Sequence, residues 1–191
     1  MSLNEALFLK IQGLTGIGLI DQTMLLLAEA LVLLVPLSLI YLWFQGRERK
    51  EDALFTFYTS VLTIGIAYVM SLLYFHENPS ATYSTLIEFH AENSFPSQHT
   101  AAVFGTAFPL IYRNRERLGW LLTAAAVLTG FARIYVGEHW PVDILGSIAA
   151  AAIGLGVAYI SWDRLEPAWS TALDLYEKIE KEALSKASSL L

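Results

Sequence analysis

The sequence predicts an all-α fold, a polytopic membrane helical bundle of about five transmembrane helices with an interfacial helix at each end. Of the 191 residues, 55% are hydrophobic and 16% are charged, and the mean hydropathy is +0.48. Soluble domains carry more charge than this. The apolar residues lie in runs of about 20, the number that crosses a bilayer. The chain is therefore predicted to be a single membrane-embedded domain over 1–191, with a core at about 19–163 and amphipathic flanks at 1–18 and 164–191.

The composition also excludes several classes of function. The chain has no cysteine, which excludes disulfides, thiol nucleophiles and cysteine-ligated metal centres. Its net charge of −6 offers no basic face for nucleic acid. The first 10 residues lack the basic start of a secretory signal peptide, so we expect no cleaved leader.

The two flanks are predicted to form amphipathic helices. Residues 2–14 have a capping-box spacing at Ser2 and Glu5, followed by a stripe of leucine and isoleucine. This helix is too short to span, so we place it at the membrane interface. Residues 165–191 are charged and helical in pattern, and we expect them to lie on the membrane surface or to pack on a partner helix, with a solvated tail as the alternative.

Five apolar runs predict the membrane spans, at 22–44, 53–75, 98–112, 118–134 and 141–162. Pro36 is expected to kink the first span, because proline donates no backbone hydrogen bond. Glu29 is an acidic residue well inside that span. A carboxyl within a membrane is a candidate functional residue by default, but a protonated or hydrogen-bonded helix-packing contact is the interpretation that we favour.

The basic residues predict the orientation of the chain. Turns at 45–52 and 113–117 hold half of the 12 lysine and arginine residues, and the region after 163 holds four more. Such residues mark the cytoplasmic side, so the C-terminus is predicted to be cytoplasmic. The opposite, extracytoplasmic side then receives all four histidines: His76, His90, His99 and His139.

Two polar blocks, at 95–99 and 133–143, lie at the ends of apolar runs on that predicted outer side. Arg133 is a fixed cation whose forked guanidinium matches phosphate oxygens. Ser97 suits the N-cap of the third span, where unpaired N–H groups and the helix dipole also favour an anion. These features predict a binding site for phosphate.

The same blocks hold groups for acid, base and nucleophilic chemistry. His139 and Asp143 are four residues apart, so a carboxylate can fix the tautomer of the imidazole and raise its basicity. This pairing is typical of an activated nucleophile. His99, near the start of the third span, can protonate a leaving oxygen. Each residue alone could be an interfacial or capping residue, but their joint spacing favours cleavage of a phosphate ester or anhydride.

The length of the spans favours a lipid substrate. A helix of about 15 residues covers about 22 Å, less than the hydrocarbon core of about 30 Å. The outer ends of the third and fourth spans should therefore lie below the headgroups, within reach of a lipid that keeps its tail in the bilayer.

The two blocks resemble the motifs of a known family. Residues 96–99 read Pro-Ser-Gln-His and resemble the Pro-Ser-x-His motif of the type-2 phosphatidic acid phosphatase superfamily, and residues 133–143 match its Arg-x5-His-x3-Asp motif. Stretches at 94–97, 113–115, 128–131 and 139–147 are similar to its branch of bacterial-type undecaprenyl-diphosphate phosphatases. Two motifs about 35 residues apart, each at the end of a span, are more specific than either alone.

The resemblance implies roles for the polar residues. His139 would be the nucleophile that forms a phosphohistidine, Asp143 would orient it, and His99 would be the general acid. Ser97 and Arg133 would bind phosphate. The family requires no metal, and the spacing of histidine and glutamate between 76 and 92 matches no recognised ligand pattern, so no cofactor or metal is predicted.

The sequence also departs from the family. The first family motif, Lys-x6-Arg-Pro, reads Ser71, Asn78 and Pro79, so both of its cations are missing. Gln98 stands where many members have glycine. Charge neutralisation would then depend on Arg133, on the start of the third span and on a protonated His76 or His90, and we add Gln98 and Asn78 to the predicted phosphate-binding residues.

The predicted function is hydrolysis of a polyprenyl (undecaprenyl-like) diphosphate to the monophosphate, in carrier-lipid recycling on the extracytoplasmic side. The partners are this lipid substrate and the bilayer, without nucleic acid. Alternatives are a phosphatase of phosphatidate or phosphatidylglycerophosphate, or a lipid phosphotransferase. Outside this class, the missing cations favour a non-catalytic membrane scaffold that binds lipid phosphate.

Overall fold

The computed structural model describes residues 1–87 and 93–188, and His90 lies outside these ranges. Seven α-helices follow one another in the described ranges: α1 (Leu3–Gln12), α2 (Gly18–Ala30), α3 (Leu34–Trp43), α4 (Arg47–Leu73), α5 (Gln98–Tyr112), α6 (Glu116–Val136) and α7 (Pro141–Ser188). Four segments are long and apolar enough to cross a membrane: Gly18–Trp43, Arg47–Leu73, Glu116–Val136 and Pro141–Ala183. The predicted all-α membrane bundle is confirmed.

Helix α5 lies at the centre of the bundle and packs against α4, α6 and α7. It covers the same residues as the predicted third span, and with 15 residues it is shorter than the four segments above. Small residues allow the close packing: a Cβ added at Gly105 would lie 2.8 Å from the Cβ of Thr63 on α4. Small residues at helix interfaces let membrane helices approach each other. This central helix carries Ser97 and His99 at its start.

The predicted interruption near Pro36 is a single 3-10 turn at Leu31–Leu33, which separates α2 from α3. Pro36 is the third residue of α3. It has no N–H to donate to the carbonyl of Val32, which favours a local change of helical pitch. As a result, Glu29 lies in the last turn of α2, one residue before the helix ends.

The predicted charged turn at 45–52 is wrong in its extent. The chain turns at Gly46, whose φ of +96° suits glycine, and α4 begins at the next residue, Arg47. Ion pairs with α7 stabilise the charged residues in this helical start. Arg47 pairs with Asp174 at 2.5 Å, and Lys50 pairs with Glu180 at 3.3 Å.

The predicted C-terminal helix is present up to Ser188, but its predicted separation from the fifth span is wrong. Helix α7 continues from the membrane segment to Ser188 and passes through Pro167 without a break. Its second half packs on the chain itself, since Trp43 meets the Tyr176 ring edge-on at 5.3 Å and Leu173 is buried. Periodicity did not show this because charges at 174–180 have their partners more than 120 residues away, on α4.

The N-terminal helix α1 lies against the end of the bundle that carries the polar blocks. The predicted capping box of Ser2 and Glu5 is present. Phe8 is fully buried and contacts the ring of Trp140 at 4.8 Å. The amide of Gln12 donates to the carbonyl of Ile134 at 2.8 Å, at the end of α6. The interfacial flank therefore helps to fix the turn between α6 and α7.

The opposite end of the bundle is held by one buried carboxylate. Asp52 is 2% exposed and accepts hydrogen bonds from the Nε atoms of Arg113 at 2.8 Å and Arg115 at 2.6 Å. Arg49 lies 3.5 Å from the same side chain. These pairs join the start of α4 to the turn between α5 and α6.

We predict that Asp52→Ala lowers the free energy of unfolding by about 3 kcal/mol, because it leaves three arginines without their buried counter-ion. Glu48→Ala is the matched control: Glu48 also pairs with Arg115, but its side chain is 77% exposed, so its loss should cost less than about 1 kcal/mol. Thermal unfolding in detergent measures both. Equal losses in the two variants would contradict this role of Asp52.

Candidate active site

The end of α6 brings Arg133 and His139 together. Gly137 has a φ of +91°, a left-handed conformation that ends the helix. The carbonyl of Arg133 then accepts the N–H groups of Glu138 at 3.0 Å and His139 at 3.3 Å. This tight turn explains why five residues separate the arginine from the histidine.

The start of α5 is joined to the start of α7. The N–H of Ser97 donates to the carbonyl of Asp143 at 3.4 Å, and the Oγ of Ser147 donates to the carbonyl of Ser97 at 2.8 Å. Gly146 lets the two segments touch, since a Cβ there would lie 3.1 Å from the Cβ of Pro96. The two polar blocks therefore meet at one end of the bundle.

Ser97 occupies the predicted N-cap position of α5, but its side chain does not cap the helix. Its Oγ instead pairs with the Oγ1 of Thr100 at 3.0 Å, and the residue is fully buried. The half-buried side chain of Gln98 forms no hydrogen bond within the described part of the chain. The Ser97 hydroxyl therefore accepts no hydrogen bond from the backbone N–H groups in the first turn of α5.

Arg133 is held by carboxylates from two directions. Its Nη1 donates to Glu29 Oε1 at 3.0 Å and to the carbonyl of Ala28 at 3.2 Å, and its Nη2 lies 2.6 Å from Glu138 Oε2. The guanidinium side chain is 3% exposed. Burial raises the pKa of the Glu138 carboxyl, and the adjacent Arg133 charge opposes that rise. The cation is thus oriented before any ligand binds.

The ring of His139 is bound to a backbone carbonyl. Its Nδ1 lies 2.8 Å from the carbonyl oxygen of Ser94 and 3.5 Å from Asp143 Oδ2. A carbonyl oxygen can only accept, so Nδ1 carries the proton and Nε2 carries the lone pair. The tautomer that a nucleophile needs is therefore fixed mainly by Ser94, a residue to which sequence analysis gave no role, and Asp143 adds its charge nearby.

The carboxylate of Asp143 accepts hydrogen bonds from other donors. Its Oδ2 accepts the N–H of Trp140 at 2.8 Å, as the third residue of a helix often does for its N-cap. Its Oδ1 lies 2.7 Å from the Nδ1 of His76. Asp143 is fully buried, and the ring of His76 is 5.6 Å from that of Trp140. Asp143 therefore binds two histidines rather than one.

His76 is bound to Asp143 through its Nδ1 atom. The sequence suggested that a protonated His76 could neutralise phosphate, and this contact stays a prediction. Its spacing carries no motif; its place depends on the loop, where the Oδ1 of Asn93 accepts its backbone N–H at 3.0 Å. No pattern in the sequence could have revealed this contact.

His99 and Glu29 face each other across the site. The Nε2 of His99 lies 3.5 Å from Glu29 Oε2, and the His99 side chain is 33% exposed. Glu29 of α2 accepts a hydrogen bond from Arg133 of α6, so the hydrogen-bonded helix-packing contact that we favoured is confirmed, and the Glu29 side chain is 57% exposed. It is the carboxylate that joins Arg133 to His99.

The side chain of Asn78 bonds to its own loop and to the turn after α6. Its Nδ2 donates to the carbonyl of Glu138 at 2.9 Å, and its Oδ1 accepts from the N–H and Oγ of Ser80. These bonds hold the turn that carries His139. Its predicted contact with phosphate stays a prediction, and any such contact must replace one of these bonds.

Together these groups can carry out phosphoryl transfer. The site combines a fixed guanidinium, an imidazole whose tautomer is set for nucleophilic attack and a second imidazole that can move a proton. The start of α5 adds backbone N–H groups and the positive end of a helix dipole.

Comparisons with known proteins found similar sequences and similar folds. The model of the PAP2 superfamily matches residues 73–166. Undecaprenyl-diphosphatase BcrC of Bacillus subtilis (strain 168) is 33% identical over 189 residues, which cover 96% of this chain and 97% of that protein. The crystal structure of Aquifex aeolicus LpxE has a TM-score of 0.70 at 26% identity, over 83% of this chain and 96% of that one.

A second solved structure shares the fold. The first transmembrane PAP2 type phosphatidylglycerolphosphate phosphatase from Bacillus subtilis has a TM-score of 0.66 over 85% of each chain. Its identity is 17%, so this likeness concerns the fold alone.

We predict that His76→Ala lowers the free energy of unfolding by about 2 kcal/mol, because it removes a donor from the fully buried Asp143. His99→Ala is the matched control. Its partner Glu29 is 3.5 Å away and keeps the hydrogen bond from Arg133, so the loss should stay below about 1 kcal/mol. Thermal unfolding of both variants in detergent checks this, and a larger loss for His99→Ala would contradict the role assigned to His76.

Proposed function

The chain belongs to the PAP2 superfamily, and we propose that this membrane lipid phosphatase hydrolyses a polyprenyl (undecaprenyl-like) diphosphate to the monophosphate and inorganic phosphate. This choice of substrate is supported by the 33% identity to an undecaprenyl-diphosphatase over nearly the whole length of both chains. The tautomer of His139 and the forked cation of Arg133 support the chemistry.

The first step transfers the terminal phosphoryl group to His139. The Nε2 lone pair attacks the terminal phosphorus in line with the bridging oxygen, a P–N bond forms and the P–O bond breaks. The electron pair stays on the bridging oxygen, which takes a proton from His99. The Ser94 carbonyl keeps the proton on Nδ1, where the developing positive charge of the imidazole is also stabilised by Asp143.

The second step returns the enzyme to its starting state. Water attacks the phosphorus of the phosphohistidine, His99 accepts a proton from that water, and the P–N bond breaks to release inorganic phosphate. In both steps we assign the phosphate oxygens to Arg133, Ser97 and Gln98, at the start of α5. Charge on these oxygens grows toward the transition state, where a preorganised cation has its largest effect.

The lipid setting supports a substrate with a long tail. The site lies at one end of a bundle whose four long segments can each cross a membrane. We place that end on the extracytoplasmic side, because the arginine-rich turns lie at the other. A polyprenyl diphosphate can then keep its chain in the bilayer while its headgroup enters the site.

We predict that wild-type protein releases phosphate from farnesyl diphosphate in detergent, in the presence of EDTA, and that His139→Ala lowers the rate at least about 10³-fold. Glu116→Gln, an exposed change at the start of α6, should leave the rate unchanged. Phosphatidate and phosphatidylglycerophosphate serve as competing substrates in the same assay.

Three outcomes would contradict parts of this proposal. Release from phosphatidate but none from farnesyl diphosphate would contradict the substrate. A rate unchanged in His139→Ala would contradict the nucleophile and favour a scaffold with adventitious activity. Loss of activity in EDTA, restored by zinc or magnesium, would contradict the metal-independent mechanism.

A further inference from the structure

Glu29 is an ionisable residue in an unfavourable place. It is the only Asp, Glu, Lys, Arg or His in the run 22–44, which lies in the most apolar of the four candidate spans, with a mean hydropathy of 2.4. Placing a carboxylate at the centre of a membrane helix costs about 3 kcal/mol unless it is paired. The groups that pair with Glu29 therefore indicate its role.

Those partners are the groups that a phosphate needs. One oxygen of Glu29 accepts from Arg133 Nη1 at 3.0 Å, and the other lies 3.5 Å from His99 Nε2. A carboxylate and a phosphate both present pairs of oxygens to a guanidinium fork. A phosphate that binds the same Nη1 of Arg133 and the Nε2 of His99 therefore takes the place of Glu29.

The two carboxylates on Arg133 differ in their freedom to move. The Glu138 side chain is 4% exposed and lies in the tight turn after α6. The Glu29 side chain is 57% exposed, and it stands in the last turn of α2, just before the 3-10 turn at Leu31–Leu33. The exposed Glu29 side chain has room to turn away from Arg133, whereas the buried Glu138 side chain is enclosed by protein. Glu29 is therefore the carboxylate that an incoming anion can replace.

The site contains few positive charges, so competition for Arg133 affects anion binding strongly. Arg133 is the one permanently charged cation among the described residues that form the site, and it faces two carboxylates. The cations of the first family motif are replaced by Ser71 and Asn78. With so little positive charge, a negative group beside Arg133 strongly affects which anions can bind.

We propose that Glu29 is a specificity-determining residue, an internal competitor that occupies the phosphate-binding groups until a more highly charged anion displaces it. A diphosphate monoester carries more negative charge than orthophosphate, so it displaces Glu29 more readily. Glu29 thus keeps the affinity for the product phosphate low and favours diphosphate over monophosphate substrates. This inference rests on the proposed function only in its assignment of Arg133 and His99 to the phosphate.

Calorimetric titration of the purified protein in detergent with orthophosphate and with methylenediphosphonate tests the proposal directly. Glu29→Gln keeps the shape and an acceptor oxygen for Arg133 but removes the charge. We expect it to bind orthophosphate at least about tenfold more tightly than wild type, with a smaller gain for the diphosphonate. Glu116→Gln is the matched carboxylate control and should bind both anions as wild type does.

Kinetics separate this role from a structural one. In Glu29→Gln the KM for farnesyl diphosphate should fall while kcat stays within about twofold, and inhibition by orthophosphate should become stronger. Orthophosphate affinity that is unchanged or weaker in both Glu29→Gln and Glu29→Ala, in protein with a normal unfolding transition, would overturn the proposal. A large loss of kcat would also overturn it, because Glu29 would then assist His99.

The binding measurement is independent of the choice of lipid. A variant that gains orthophosphate affinity in a protein that does not hydrolyse farnesyl diphosphate would contradict the proposed function and leave the competitor role standing. Arg133→Ala should abolish orthophosphate binding in the wild-type and Glu29→Gln backgrounds alike. Binding that survives this change would place the anion elsewhere and overturn the inference.

Discussion

The buried carboxylate of Asp143 is the contact on which the rest of the site depends. Its two oxygens accept from His76 and from the backbone of Trp140, and its own carbonyl accepts the N–H of Ser97 and the hydroxyl of Ser147. An ionised group without exposure costs several kcal/mol when its partners are removed. One residue therefore couples the loop after α4, the start of α5 and the start of α7, and this coupling is what holds His139 beside Arg133.

The site is poor in positive charge. Where the family's first motif has two cations, Ser71 donates to a backbone carbonyl within α4 at 2.7 Å and Asn78 holds the turn before His139. Neutral residues thus support the backbone there, and the charge that remains is Arg133, placed between Glu29 and Glu138. A site of this kind relies on correctly oriented donors and on the start of α5 more than on net charge.

Sequence predicted the contacts that are local and missed those that join distant segments. The spacing of Arg133 and His139 follows from the glycine-ended helix α6, and the apolar run of α5 sets its bounds, so both could be predicted. Ser94, His76 and Glu29 reach the site through a loop and through α2, and no periodicity encodes these pairings. The continuous helix α7 was missed for the same reason, because its charged half is stabilised by residues of α4.

The central claim is that His139 acts as the nucleophile through Nε2, because the carbonyl of Ser94 holds the proton on Nδ1. The most direct test is to mix the purified protein with a polyprenyl diphosphate, quench it in alkali within the turnover time and locate the phosphoryl group by mass spectrometry and 31P NMR. We expect phosphate on Nε2 of His139. Phosphate on Nδ1, or turnover without phosphorylated His139, would contradict it.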